Sequence, residues 1–435
     1  AAAQSQSMAA LAQLARSNHD NQDAISRMGG IKPLVLLLES HNNEVAAHSA
    51  SALMEISRSN IENQRAVVDH GGIIQLANLM KTSSHADVRA EVAGALWSLS
   101  EDPEIKVAIA SASTISPLVQ LLGTGDERAR IHAANALDSL GFDNKDNQVI
   151  LTQMLIELLM SGTEDAQERA VKALRSMVDA NPSAHESIAK AGNPGMLVEL
   201  LKTGIADAKS YALWSLSLSI SKENQSTVAE AGGVQPLIDQ LLDDHVYVKE
   251  QAASALAKLA HDNKETRSAI TKVGGVQPLI DLLTLAGPEA ELVRQNGANA
   301  LANLALDPAA RDEIIGAGGV PPLVQVLGDE HNDTKKYAAR AFGRLSKDHV
   351  ETQEVIANAG AIEPLVKLLE GDCGEEAQEE AAGALFSLAD HEKNRLAITE
   401  ADGISWLVML LCHVNKRARE HAEGALVRLS MDNAN

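Results

Sequence analysis

Catalysis needs a nucleophile, a base or metal ligands at spacings that one fold can bring together. Few candidates in this sequence meet that condition. Gly123-Thr124-Gly125 is too short for a phosphate-cradling loop, which also needs a preceding strand. The 14 histidines are scattered, and His413 and His421 stand eight apart with no third ligand in view. The two cysteines, Cys373 and Cys412, lack zinc-type spacing. They also exclude a disulfide framework, which fits a reducing compartment. The acidic cluster Glu375, Glu376, Glu379 and Glu380 opens a helix, where negative charge complements the dipole. No catalytic residue, metal site or cofactor is expected.

What recurs along the 435 residues is a packing signal. Ala-Leu-x-x-Leu, or a near variant, occurs with its second residue at Leu11, Leu53, Leu96, Leu137, Leu174, Leu213, Leu256, Leu301, Phe342, Leu385 and Leu426. The intervals run from 37 to 45 residues, a period that marks a repeat architecture. A second marker keeps step. Gly pairs stand at Gly29-Gly30, Gly71-Gly72, Gly232-Gly233, Gly274-Gly275 and Gly318-Gly319, with degenerate forms at Gly192-Asn193 and Gly360-Ala361. Proline follows at Pro33, Pro117, Pro236, Pro278, Pro322 and Pro364, then a Leu-Val-x-Leu-Leu run or a relative of it. Glycine ends one helix in the left-handed conformation. Proline opens the next, where its missing N–H is not needed. Each unit therefore reads as three helices: a short one such as 21–28, a second through the Pro-Leu segment, and a longer third such as 44–57. Asn and Asp clusters between units suit turns and N-caps. Sustained period-two alternation, the mark of strands, is absent.

Composition agrees. Hydrophobic residues make up 45% and aromatic ones 2%, so the core must be stacked Ala, Leu, Ile and Val. A net charge of -22 disfavours nucleic acid and anionic membrane as partners. No run of about 18 apolar residues could span a bilayer, and no signal peptide is seen. The expectation is a soluble protein of the cytoplasm, with the nucleus also open.

This unit closely resembles the armadillo repeat, in its period, its Gly-Gly-(Ile/Val)-x-Pro-Leu-Val segment and its Ala-Leu-x-x-Leu third helix. The resemblance covers essentially the whole chain. It implies an all-α fold, a right-handed superhelical α-solenoid of about ten three-helix repeats. Residues 1–18 form a partial repeat and 19–435 one continuous array. The 37- and 39-residue intervals leave the array irregular near 142–212. With no Gly pair before Leu155, the first two helices of repeat four are shortened or merged, and a local change of twist is expected there. The chain opens inside a third helix and closes on Ser430-Met431-Asp432-Asn433, which looks like a turn into another repeat, so a longer parent protein is expected.

In armadillo proteins the third helices line a groove that binds extended peptides, and an Asn two residues after the Leu often bonds the ligand backbone. Here that row holds Gln13, Glu55, Ser98, Ser139, Ser176, Ser215, Lys258, Asn303, Arg344, Ser387 and Arg428. Asn303 alone keeps the family residue. One turn earlier, where nuclear-import adaptors carry Trp, stand residues such as Lys172, Tyr211, Asn299 and Arg340, and no Trp. The importin-type Trp-Asn ladder is missing, and the chain looks more like catenin-type and vacuolar-protein-8-type members. A third row includes His48, Glu91, His132, Arg169, Glu380 and His421. The three rows share one helical stripe. It holds six basic residues (Arg169, Lys172, Lys258, Arg340, Arg344, Arg428) against three acidic ones (Glu55, Glu91, Glu380). A concave surface would focus that balance toward an acidic or mixed peptide. Trp97, Trp214 and Phe386 follow the Ala-Leu pair beside the groove row, as binding anchors or as packing between third helices.

The functional expectation is a non-catalytic scaffold that binds extended segments of partner proteins. The alternative is a structural component of a large cytoskeletal or axonemal assembly. The partner's identity and the oligomeric state are not legible.

Overall fold

The computed structural model of the chain describes residues 2–180, 191–370 and 373–431. Its regular elements are helices, and no strand occurs among the described residues. The repeat is built as its local signals require. In repeat one, helices His19–Arg27, Ile31–Leu37 and Asn43–Ser57 follow one another. Repeat seven repeats the plan with Lys264–Lys272, Val276–Leu282 and Glu291–Leu304.

The two glycines of each pair do different jobs. The first takes the left-handed conformation, with φ of 76° at Gly29, 77° at Gly274 and 72° at Gly318. Ser113 (φ 57°) and Asp402 (φ 61°) fill that slot in repeats three and ten. The second glycine is needed for close approach. Its N–H bonds the carbonyl five residues back, at 2.8–2.9 Å for Gly30, Gly233, Gly275 and Gly319. A Cβ on Gly319 would lie 2.8 Å from the Ile314 carbonyl oxygen. Ala361 carries that Cβ in repeat nine, and there the bond to Ile356 lengthens to 3.3 Å. The prolines sit at the third position of their helices rather than the first, as Pro278 does in Val276–Leu282. Their missing N–H is harmless because the first four helical N–H groups have no intrahelical acceptor.

Polar residues on the first helices serve the preceding third helix. Gln64 donates to the Ser57 carbonyl at 3.0 Å, Gln148 to Gly141 at 2.9 Å and Gln353 to Ser346 at 2.9 Å. These carbonyls end a helix and need outside donors. Asn18, Asn60, Asn144 and Asn263 cap the first helices, each accepting an N–H three residues on.

Repeat four departs from the three-helix plan. With no glycine to stop it, its first segment is one 17-residue helix, Lys145–Ser161. Asn193 then starts Pro194–Thr203 by accepting from Gly195 N at 2.9 Å. Part of the region expected to be irregular, residues 181–190, lies outside the described residues, as do Asp432 and Asn433 of the expected closing turn.

The chain divides into two compact units, Ala1–Ser215 and Leu216–Asn435. In the first, third helices Ala2–Ala15, Asn43–Ser57, Ala86–Leu99 and Glu127–Gly141 pack side by side. In the second, Val246–Ala260, Glu291–Leu304, Asn332–Ser346, Glu375–Leu388 and Lys416–Leu429 do the same. Alanines such as Ala50, Ala93, Ala253, Ala298, Ala339 and Ala381 are fully buried. They let neighbouring third helices approach without large rings.

Candidate functional site

The residues expected to face a ligand lie on the third helices, and several of them reach backward into the preceding repeat. Asn303 Nδ2 donates to the Ala257 carbonyl at 3.0 Å. Arg344 Nη1 donates to the Ala302 carbonyl and to Asn303 Oδ1, both at 2.9 Å. Lys258 Nζ donates to the Ser217 carbonyl and Arg428 Nη1 to that of Phe386. Ser139 Oγ donates to Ser100 at 2.8 Å, and Arg169 Nε to Leu122 at 2.6 Å. Each acceptor lies in the last turn or cap of a helix. Such carbonyls lack intrahelical donors and carry the negative end of the dipole. The row that the resemblance assigns to the ligand is thus used largely to join one repeat to the next.

Ion pairs consume more of the stripe. Arg340 Nε lies 2.7 Å from Glu380 Oε1, and Arg428 Nε 2.7 Å from Asp390 Oδ1. Glu91 meets Arg128 at 2.8 Å, and Glu55 lies 3.4 Å from both Arg16 and Arg58. The excess of positive charge counted from three rows therefore changes once neighbouring positions are included. Two groups keep charge without an ionic partner among the described residues. Lys172 is exposed and has no hydrogen bond or ion pair among the described residues. Arg344 is half-buried and bonds neutral oxygens alone. Burial pulls its guanidinium down to about 10, helped by the charge of Arg340.

The remaining expected residues divide by exposure. Tyr211 is 3% and Asn303 2% exposed, so the structure turns both inward, away from any groove ligand. Burial pushes the Tyr211 phenol upward. Its hydroxyl has no hydrogen-bond partner among the described residues. Asn299 is half-buried. The three aromatics are also half-buried. Trp97 lies under the Arg58 guanidinium, 5.2 Å from the ring centroid, with His132 at 6.3 Å. Trp214 packs on Tyr211 at 5.7 Å. Phe386 is covered by Arg428 at 3.5 Å and stacks with His421 at 6.4 Å. A Cβ on Gly424 would meet that ring at 2.6 Å. Packing between third helices explains much of what these rings do.

Cavities open between third helices in both units. In the first, Lys172 borders two, of about 530 and 710 Å³, with Asn135, Asp138 and Ser176 among its neighbours. In the second, a cavity of about 230 Å³ is bounded by Arg340, Arg344, Lys347, Phe386, His421 and Arg428, with Asp348, Glu380 and Asp390. Sequence reading missed Lys347, Asp348 and Asp390. They follow the last turn of a third helix, beyond the stripe drawn from the Ala-Leu pair. Their fixed offset from that pair was the available signal.

Four segments, 60–101, 221–261, 307–347 and 349–390, match the model of the Armadillo/beta-catenin-like repeat. Each spans one three-helix unit of the structure. The chain belongs to the armadillo-repeat family. It is 39% identical over 106 residues to vacuolar protein 8 of Candida albicans, covering 24% of this chain and 18% of that protein. It is 24% identical over 377 residues to junction plakoglobin of Xenopus laevis, covering 75% and 48%. The chain thus spans half or less of the length of these relatives. Among solved structures, an engineered protein is 32% identical with a TM-score of 0.68, covering 92% of this chain and 98% of that one. A designed armadillo repeat protein is 29% identical with a TM-score of 0.51, covering 55% and 100%.

In this armadillo chain Asn303 donates to the Ala257 carbonyl and accepts from Arg344. No group of three His, Cys, Asp or Glu side chains is placed to hold a metal ion among the described residues. No single helix among them is long and apolar enough to cross a membrane.

Proposed function

We propose that the chain is a non-catalytic protein-interaction scaffold that binds extended segments of partner proteins along its third helices. The observation that carries this reading is the side-by-side row of third helices in each unit, with cavities between them bordered by unpaired cationic groups, Lys172 in one and Arg344 in the other. The partner segment is acidic or of mixed charge, because those are the groups left to meet it. A cytoplasmic setting goes with this reading.

A random peptide display library panned against the folded chain tests it. Selected peptides should lose binding to a Lys172→Glu, Arg340→Glu, Arg344→Glu variant and keep it to a control with Lys264→Glu, an exposed residue on a first helix. Failure to select any peptide, or equal binding by both variants, overturns the groove reading and favours the assembly-component alternative.

A further inference from the structure

The cavity between the third helices of repeats eight, nine and ten has a specific charge composition. Arg340, Arg344, Lys347 and Arg428 border it, against Asp348, Glu380 and Asp390. The excess is one positive charge. Two of the arginines are already matched, Arg340 with Glu380 and Arg428 with Asp390. Arg344 is not. Its Nη1 is held by the Ala302 carbonyl and by Asn303 Oδ1. Its Nε and Nη2 have no partner among the described residues. Asn303 is itself buried and anchored by Ala257 in the helix before, so the guanidinium is held from two sides. A half-buried charge without a direct ion pair is costly, and the more distant Glu380 and Asp262 offset only part of that cost. A planar carboxylate matches the open edge of a guanidinium with two parallel hydrogen bonds.

We propose that this cavity is a subsite for one carboxylate side chain of the bound segment, read by Arg344, with Asn303 as its positioning residue and Lys347 at its rim. The inference rests on the groove reading above and sharpens it. It also predicts discrimination. A carboxylate balances the single excess charge. A phosphoryl group carries roughly -1.5 to -2 at neutral pH and would leave negative charge beside Glu380 and Asp390. Phosphorylation of the incoming residue should therefore weaken binding here.

Three blocked tripeptides serve as probes: acetyl-Gly-Glu-Gly-amide, its Gln analogue and its phosphoserine analogue. Binding is followed on the whole chain by arginine side-chain NMR, with the Arg344 signal identified from Arg344→Lys. The Glu peptide should shift that signal saturably, at least fivefold more tightly than either analogue. Asn303→Ala, which keeps the arginine, should weaken it at least fivefold, and in Arg344→Lys, which keeps the charge, binding read from the signals of Arg340 and Arg428 in the same cavity should weaken by as much. Lys347→Ala, at an exposed position, should weaken it about twofold. Equal or tighter binding of the phosphoserine peptide overturns the carboxylate assignment. So does an equal response to the Gln peptide, and an unchanged affinity in folded Asn303→Ala overturns the positioning role. These probes are too short to depend on the rest of the surface. A negative result here beside successful library selection would sink this subsite alone, whereas failed library selection would sink the groove reading.

Discussion

Removing Asn303 should loosen the joint between repeats six, seven and eight by an amount that can be worked from its bonds. Asn303→Ala deletes a neutral amide–carbonyl bond to Ala257, worth about 1 kcal/mol, and a charge-assisted bond from Arg344, worth about 1.5–3 kcal/mol. Ala257 lies in the last turn of Val246–Ala260, so its carbonyl has no helical donor to fall back on. Arg344 keeps its bond to Ala302. The expected total is about 3 kcal/mol. In a repeat array such a loss is felt by the neighbouring units rather than by the whole chain. The assay is therefore native-state hydrogen exchange on Val246–Ala260, Glu291–Leu304 and Asn332–Ser346, where about 3 kcal/mol corresponds to roughly a 100-fold loss of protection. A cycle with Arg344→Ala isolates the shared bond. The coupling should be about 1.5–3 kcal/mol. Additivity within about 0.5 kcal/mol would refute the claim that the groove row has been turned into an inter-repeat staple.

Two further outcomes follow from the packing. Asp329 lies 2.8 Å from Arg294, with side chains 8% and 14% accessible. Burial alone would raise its carboxyl, but the Arg294 hydrogen bond and the His331 N–H outweigh it and hold the group below the usual range. A depressed carboxyl stabilises the folded chain above its unfolded value near pH 4 and loses that contribution as pH falls through the folded value. Asp329→Asn should cost about 3 kcal/mol at pH 7, with the difference from wild type shrinking in acid; urea titrations at pH 7 and pH 3 check both. At the Gly pairs, Gly319→Ala should cost about 1–3 kcal/mol by crowding Ile314. Gly318→Ala meets no atom within 4 Å and should cost about 1–2 kcal/mol through its left-handed backbone alone. Gly318→Asn should recover part of that loss, and Gly319→Asn should recover none.

The repeat was legible because its signals are local. A left-handed glycine and a small-residue third helix leave fixed marks, and the missing Gly pair before Leu155 left shortened or merged helices open, where the structure has the single helix Lys145–Ser161. The proline offset was misjudged because a missing N–H is tolerated anywhere in a first turn. The purpose of the second glycine was hidden, since its constraint is a carbonyl five residues back. The candidate surface was legible only in part. Third-helix positions could be aligned, but their partners could not, because the acceptors for Lys258, Arg344 and Arg428 are backbone carbonyls, which have no residue type. For the same reason Asn303 looked like a ligand contact and is a buried joint. Asp390 and Lys347 were overlooked because charge was counted along one stripe, while the cavity also takes residues from the turn that follows the third helix.

The most direct test of the central claim is where a selected peptide lies. A photo-crosslinking residue placed in turn at Lys172, Asn299 and Lys347, on or just beyond the third helices, and at the exposed first-helix positions Lys145 and Lys264 should report it. The scaffold reading predicts crosslinks to the peptide from third-helix sites and none from the first-helix sites. Crosslinks confined to Lys145 or Lys264 would contradict it.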